Sequence, residues 1–233
     1  MISKIDNWHL DAAAITSLDA RMADIAFSFL ASMEKLESIS GIEIDNGSND
    51  YHEIKSRIKE HGAAVMSYYV YSHQAAIQAL QNVIESTANE LKRDGWVKFD
   101  AFKNAQGVLH SDQLCFIRSV SNVLKHNEGV INRKSESGKY LIDERGLRDG
   151  YDIETHILNG NANFYIPDII VQCYLCGLSM IHKAFGQKPH RYLGQEYIKS
   201  FEEIFESLIP DWLEIRRPNK SMKHEAYNAG ASD

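Results

Sequence analysis

Residues 111–129 have the sequence SDQLCFIRSVSNVLKHNEG and contain the segment that we expect at the centre of the fold. Its periodicity predicts a helix from Ser111 to His126, and Gly129 stands where a glycine relieves the strain of a helix C-terminus. The apolar positions of this helix are Leu114, Phe116, Ile117, Val120, Val123 and Leu124. They cover most of its circumference, and a helix of that kind is central in a folded protein.

Helical periodicity of apolar residues recurs on both sides of this segment and predicts further amphipathic helices. The segments are residues 10–39, 51–92, 166–185 and 193–215. Gly62 can kink or split the second segment, and Pro210 can bend or shorten the last. Pro167 suits the first turn of its helix, where a missing N–H is tolerated. We therefore expect an all-α protein, a bundle of about five to six helices.

Residues 130–150 have a different pattern. Short runs at 130–133 and 139–142 read as strands, and residues 135–138 between them read as a turn. Glycines follow at Gly146 and Gly150, as in a loop-rich segment. We therefore predict a β-hairpin near 130–150, inserted into the helical bundle.

Composition and length favour one globular domain. The chain has 233 residues, of which 44% are hydrophobic and 24% charged, and this is ordinary for a globular protein. Only 14 glycines and 4 prolines argue against an all-β sandwich, which needs frequent turn residues. We expect a single helical domain over residues 1–218 and a flexible polar tail over 219–233.

The net charge and the number of cysteines limit the ligands and the cellular location that we expect for the protein. The net charge of −7 excludes a general basic field for nucleic acid, although a local positive strip remains possible. Three cysteines are too few for a disulfide framework, so a reducing cytoplasm is the expected location. We find no apolar run long enough for a membrane span and no signal-peptide pattern.

The 111–126 helix carries one polar arc that needs an explanation. Its members are Arg118, Asn122, Lys125 and His126, which fall within about 100° of the helix circumference. His126 can act as a general acid or base near neutral pH, and Arg118 and Lys125 can stabilise phosphate charge. Asn122 can orient a phosphate or a ribose hydroxyl. A structural role is also open, with Lys125 and His126 placed favourably on the helix dipole.

The order Arg118, Asn122, Lys125-His126 resembles the signature of HEPN-like helical domains, over about residues 51–185. The resemblance implies a compact helical bundle, often a homodimer, in which two copies of the motif meet. It also implies metal-independent cleavage of RNA, as in toxin–antitoxin or phage-defence systems. Arg118, Asn122, Lys125 and His126 are then the catalytic residues, and RNA or a nucleotide is the ligand. Non-catalytic members of the family that bind a partner protein or a nucleotide are the alternative.

The spacing in this chain is longer than is usual in that family. Seven residues separate Arg118 from His126, which puts the two about two turns, or roughly 12 Å, apart along the helix. One phosphate can be shared only if both side chains lean towards each other or if His126 acts with Arg118 of a second subunit. A non-catalytic interaction subunit and a nucleotide or small-molecule sensor therefore remain open as alternatives.

Two other groups of residues are candidates for binding. Basic residues follow the motif directly and form the expected RNA- or phosphate-binding surface: Arg133, Lys134, Lys139, Arg145 and Arg148. Cys173 and Cys176, with His182 nearby, have a spacing that can bind a metal or act in redox chemistry. Their apolar helical setting favours core packing instead. We therefore predict no metal site and no cofactor.

Overall fold

The structure, a computed structural model, describes residues 4–41, 50–93, 108, 110–184, 203–215 and 217. Six helices are α1 (Lys4–Ser40), α2 (Tyr51–Arg93), α3 (Ser111–His126), α4 (Glu136–Asp143), α5 (Ile153–Leu158) and α6 (Ile166–Ala184). A 3₁₀ turn covers Ala162–Phe164, residues 203–207 are helical, and a last helical turn covers Asp211–Glu214. No strand occurs within these ranges, so the all-α prediction is confirmed for them.

The core is built around α2, which packs against α1, α3 and α6. Fully buried side chains from each element meet there, among them Leu18, Met22, Ile77, Leu80, Ile117 and Tyr174. Each such side chain contributes about 1.5–3 kcal/mol when it leaves water. The close approach of α1 to α6 depends on Gly177, where an added Cβ would lie 2.7 Å from Leu18 Cδ2. The Tyr174 hydroxyl donates to Asp19 Oδ1 at 2.7 Å and joins the same two helices.

The central helix has the predicted bounds and the predicted end. After His126, the Asn127 and Gly129 N–H groups both donate to the Val123 carbonyl oxygen, at 3.0 and 3.1 Å. Gly129 has a φ of 81°, a conformation that costs glycine little. The helix stops here because this turn satisfies a carbonyl that has no partner within the helix.

The predicted β-hairpin near 130–150 is wrong. The second predicted strand, 139–142, lies inside α4, and Val130 makes only a single antiparallel bridge to Asp152. The predicted turn is the start of α4, because the Ser135 hydroxyl accepts a hydrogen bond from the Gly138 N–H at 3.0 Å and caps the helix. Leu141 then faces the core and is fully buried.

The long helix predicted at 51–92 is present as α2 and is continuous through Gly62. The first helix begins at Lys4 rather than near residue 10, and Pro167 lies in the first turn of α6 as predicted. The helix predicted at 193–215 is interrupted after residue 207, where Pro210, with a ψ of 142°, leaves helical geometry before Asp211–Glu214. The parts predicted at 193–202 and 219–233 lie outside the described residues.

None of the helices in the described ranges is both long enough and apolar enough to cross a membrane.

Candidate functional site

The predicted catalytic residues lie together on the side of α3 that faces solvent. Arg118, Lys125 and His126 are exposed and Asn122 is half-buried. The opposite side of the same helix is in the core, where Ile117, for example, is fully buried. We call Arg118, Asn122, Lys125 and His126 the α3 strip. Because α3 is fixed by its buried side, the strip is carried on a rigid support.

Within one chain the strip is long rather than compact. Arg118 and His126 are eight positions apart on a continuous α-helix, which corresponds to roughly 12 Å along its axis. Asn122 is halfway between them. Among the described residues, neither Lys125 nor His126 has a hydrogen-bond or ion-pair partner for its side chain. The charge of Lys125 is therefore presented to solvent without a neutralising carboxylate from this part of the chain.

Asn122 is held by a residue that the sequence analysis did not identify. Its Nδ2 donates to the Ser137 hydroxyl of α4 at 3.1 Å. A second bond runs alongside, from Asn127 Nδ2 to the Ser135 hydroxyl at 3.4 Å. These two bonds fasten the first turn of α4 to the C-terminal half of α3. Because residues 135–138 are predicted from the sequence as a hairpin turn, the contact between Ser137 and Asn122 is not predicted.

The first turn of α4 is tightly packed and accepts only glycine at its third residue. A Cβ on Gly138 would lie 1.8 Å from the carbonyl oxygen and 2.8 Å from the carbonyl carbon of Asn132. The Lys139 N–H also donates to the Ser135 carbonyl at 3.0 Å. Backbone atoms therefore fix the position of this turn, and with it the Ser137 hydroxyl that holds Asn122.

Of the five predicted phosphate-binding cations, we first consider Arg133, Lys134 and Lys139, which are exposed; two of these three are paired with carboxylates. Arg133 Nη1 is 2.7 Å from Asp143 Oδ1, and Lys139 Nζ is 3.0 Å from Glu136 Oε1. Lys134 is exposed, and its side chain has no ion-pair partner in the part of the chain that the structure describes. Lys134 is thus the cation of this group with the least neutralised charge.

Arg145, also predicted to face RNA, has a structural role. Its guanidinium donates to the Asp112 carbonyl oxygen at 2.7 Å and to the Asp112 carboxylate at 3.1 Å. It also donates to the Tyr140 hydroxyl at 3.0 Å and lies over the Phe116 ring, 5.0 Å from the centroid. These contacts join the start of α3 to the end of α4. Arg148 is exposed and lies over the ring of Tyr151.

The two cysteines of α6 pack as small core side chains, as expected. Cys173 and Cys176 are free thiols and fully buried. Burial raises the pKa of the Cys173 thiol well above its usual value and that of Cys176 to about 12. Both stay protonated at neutral pH, whereas metal binding needs the thiolate. Over the described ranges, no cluster of three or more His, Cys, Asp or Glu residues has a geometry that could hold a metal ion.

Two cavities lie away from the α3 strip. A groove of about 270 Å³ is lined by residues of α1 and α2, among them Phe29, Tyr71, Ala75 and Ala76. A cavity of about 20 Å³ lies beside His73. No residue of the α3 strip lines either one, so neither is the closed pocket around the strip that a sensor would need.

No family model matches the sequence, and neither the curated proteins nor the solved structures include a significant match. The functional inference therefore depends on the residues of the α3 strip and on their placement.

Proposed function

We propose that the protein is a metal-independent ribonuclease whose active site forms where the α3 strips of two copies meet. The observation that supports this most is the solvent exposure of Arg118, Lys125 and His126 on one side of a helix whose other side is buried. A surface cation without a neighbouring carboxylate keeps its charge available to a ligand. Lys125 and His126 have no such partner among the described residues, so this side is suited to an anionic ligand.

A dimer can bring an Arg118 and a His126 side chain together although the two residues are far apart along one α3 helix. Asn122 lies midway between Arg118 and His126, so a two-fold axis passing near Asn122 reverses the order of the strip. Two α3 helices that cross there in opposite directions bring Arg118 of one copy close to His126 of the other. Each pair then serves one phosphate, and the roughly 12 Å between the two residues within a chain need not be bridged.

The chemistry that these residues can perform is cleavage by the ribose 2′-hydroxyl. His126 takes the proton of that hydroxyl while its oxygen bonds to phosphorus. The bond from phosphorus to the 5′-oxygen breaks, and this oxygen takes a proton from water. The products are a 2′,3′-cyclic phosphate and a 5′-hydroxyl. Arg118 and Lys125 stabilise the negative charge that grows on the phosphate oxygens, and Asn122 orients the substrate.

The flanking surface contributes unequally to RNA binding in this proposal. Lys134 lies near the start of α4, has no ion-pair partner among the described residues, and is expected to contact the phosphate backbone. Arg133 and Lys139 must leave Asp143 and Glu136 before they can contact a phosphate, so their contribution is smaller.

The test is cleavage of a panel of labelled RNAs in excess chelator. We expect the wild type to cleave RNA and each of Arg118→Ala and His126→Ala to reduce the rate by about 100-fold or more, because the first removes stabilisation of the phosphate charge and the second removes the general base. Arg57→Ala is the matched control, because it removes an exposed arginine of α2 that is paired with Glu53. No cleavage by folded wild type, or equal loss in the Arg57 variant, would contradict the proposal.

A non-catalytic helical interaction subunit is the second candidate function. The observation in its favour is the groove between α1 and α2, beside which Tyr71 is 67% exposed. A large exposed aromatic side chain next to an apolar groove is typical of protein interaction sites. This function predicts no RNA cleavage by the folded protein, so the same assay distinguishes the two candidates.

A further inference from the structure

The hydrogen bond between Asn122 and Ser137 determines which atom of Asn122 is presented to a ligand. The amide nitrogen of Asn122 donates to the Ser137 hydroxyl at 3.1 Å, on the side of α4. This bond uses one N–H of the amide and leaves the carbonyl oxygen Oδ1 as the acceptor of the side chain, beside the second N–H. A half-buried Asn122 thus presents a fixed acceptor at the middle of the α3 strip.

Ser137 is itself placed by contacts that leave it little freedom. Ser135 caps α4 by accepting from the Gly138 N–H, and it also accepts from Asn127 Nδ2. Gly138 approaches the Asn132 carbonyl so closely that no side chain fits. The backbone of Ser137 is therefore held beside α3 by its own turn, and its hydroxyl restricts the rotation of the Asn122 amide through their hydrogen bond.

We propose that Ser137 is a positioning residue that makes the α3 strip selective for RNA. It holds Asn122 so that Oδ1 accepts a hydrogen bond from the 2′-hydroxyl of a nucleotide flanking the scissile phosphate. A fixed acceptor discriminates between a hydroxyl, which donates a hydrogen bond, and a hydrogen or fluorine, which does not. This inference rests on the proposed ribonuclease function and adds the feature of the substrate that the site recognises.

The experiment measures binding of one oligoribonucleotide and of its 2′-fluoro analogue, in the His126→Ala background so that the RNA stays intact. We expect binding to favour the RNA by about threefold to tenfold, the value of one hydrogen bond. Asn122→Ala should abolish this preference and Ser137→Ala should reduce it, whereas Ser137→Thr should retain it because the hydroxyl remains. Ser137→Ala should add nothing in the Asn122→Ala background, because the two residues act through one contact.

Ser135→Ala is the control for a loosened α4, because it removes the cap without removing the Ser137 hydroxyl. This variant should be less stable than wild type, and at a temperature where it is folded it should lose less of the RNA preference than Ser137→Ala, because the contact of Gly138 with Asn132 still holds the turn. The positioning role of Ser137 would be overturned if Ser135→Ala and Ser137→Ala lose the preference equally. It would also be overturned if Ser137→Ala keeps the preference unchanged. In both cases the proposal that the protein binds RNA would be unaffected. Absence of RNA binding by the folded His126→Ala protein would overturn the proposed function and this inference together.

Discussion

Helix propensity and side-chain packing predict opposite effects of Gly138→Ala on the stability of the protein. Gly138 lies inside α4, so propensity alone predicts that alanine stabilises the protein by about 1 kcal/mol. The structure predicts the opposite sign, because the new Cβ would lie 1.8 Å from the carbonyl oxygen of Asn132. The backbone of Gly138 or of Asn132 can make room for this Cβ only if the first turn of α4 moves.

The size of the effect follows from what that movement breaks. Overpacking costs about 1–3 kcal/mol. Loss of the Ser135 cap costs about 1 kcal/mol, and loss of the bond from Asn122 to Ser137 about 1 kcal/mol more. After the gain in propensity is subtracted, we expect a net loss of about 2–4 kcal/mol. In a chain of this length that lowers the melting temperature by on the order of 5–10 °C.

The assay is chemical denaturation followed by the helical circular dichroism signal, with Gly62→Ala measured in parallel. Gly62 also lies inside a helix, but a Cβ there would meet nothing within 4 Å. We expect this control to be more stable than wild type by about 0.5–1 kcal/mol. If Gly138→Ala is as stable as Gly62→Ala, the first turn of α4 does not pack against residue 132 as described.

Three further predictions concern a helix cap, a partly buried ion pair and the core thiols. Asp152 accepts from the Thr155 N–H at 2.6 Å, and hydrogen bonding by the Thr155 side chain and by this N–H lowers the pKa of the Asp152 carboxyl. Asp152→Ala should lower the free energy of unfolding by about 1 kcal/mol at pH 7. A carboxyl whose pKa is lowered in the folded state contributes its full stabilisation above the unfolded-state pKa and loses it as the pH falls. In denaturation at different pH values, the difference between the variant and the wild type should therefore shrink below about pH 4. Arg217→Met should lower the free energy of unfolding by about 1.5–3 kcal/mol, because the half-buried Asp168 loses its 2.7 Å partner; a change below about 0.5 kcal/mol would contradict this. Cys173 and Cys176 should resist alkylation at pH 8 until the protein is unfolded, and rapid labelling of the folded protein would show that they are not buried.

The long helices were predictable because their signals are local. The bounds of α3 follow from its apolar pattern and from Gly129, and those of α2 from a stripe that persists over many turns. Both signals lie within the segments themselves. The middle of the chain is different, because α5 has only six residues and gives too short a pattern to identify from sequence.

The error at α4 has a physical cause. The run Lys139–Ile142 contains aromatic and β-branched residues that favour strands, and eight residues are too few for the two periodicities to be told apart. The helix is stabilised by the burial of Leu141 against other elements and by the Ser135 cap. Contacts between segments override local propensity here.

The α3 strip was predictable as a set, but its surroundings were not. The four residues share one side of a helix, which the sequence shows directly. The partners of the neighbouring cations were not predictable, because the acceptor of Arg145 is Asp112, 33 positions away. For the same reason Ser137 was missed, since it reaches Asn122 across 15 positions.

The most direct test of the shared active site is to mix two inactive variants. A dimer of Arg118→Ala with His126→Ala contains one site with both residues intact, contributed by different copies. After subunit exchange we expect RNA cleavage in chelator to recover to about one quarter of the wild-type rate, because about half of the dimers are mixed and each has one intact site. No recovery, with an active wild type and confirmed mixed dimers, would contradict the claim that Arg118 and His126 act across two copies.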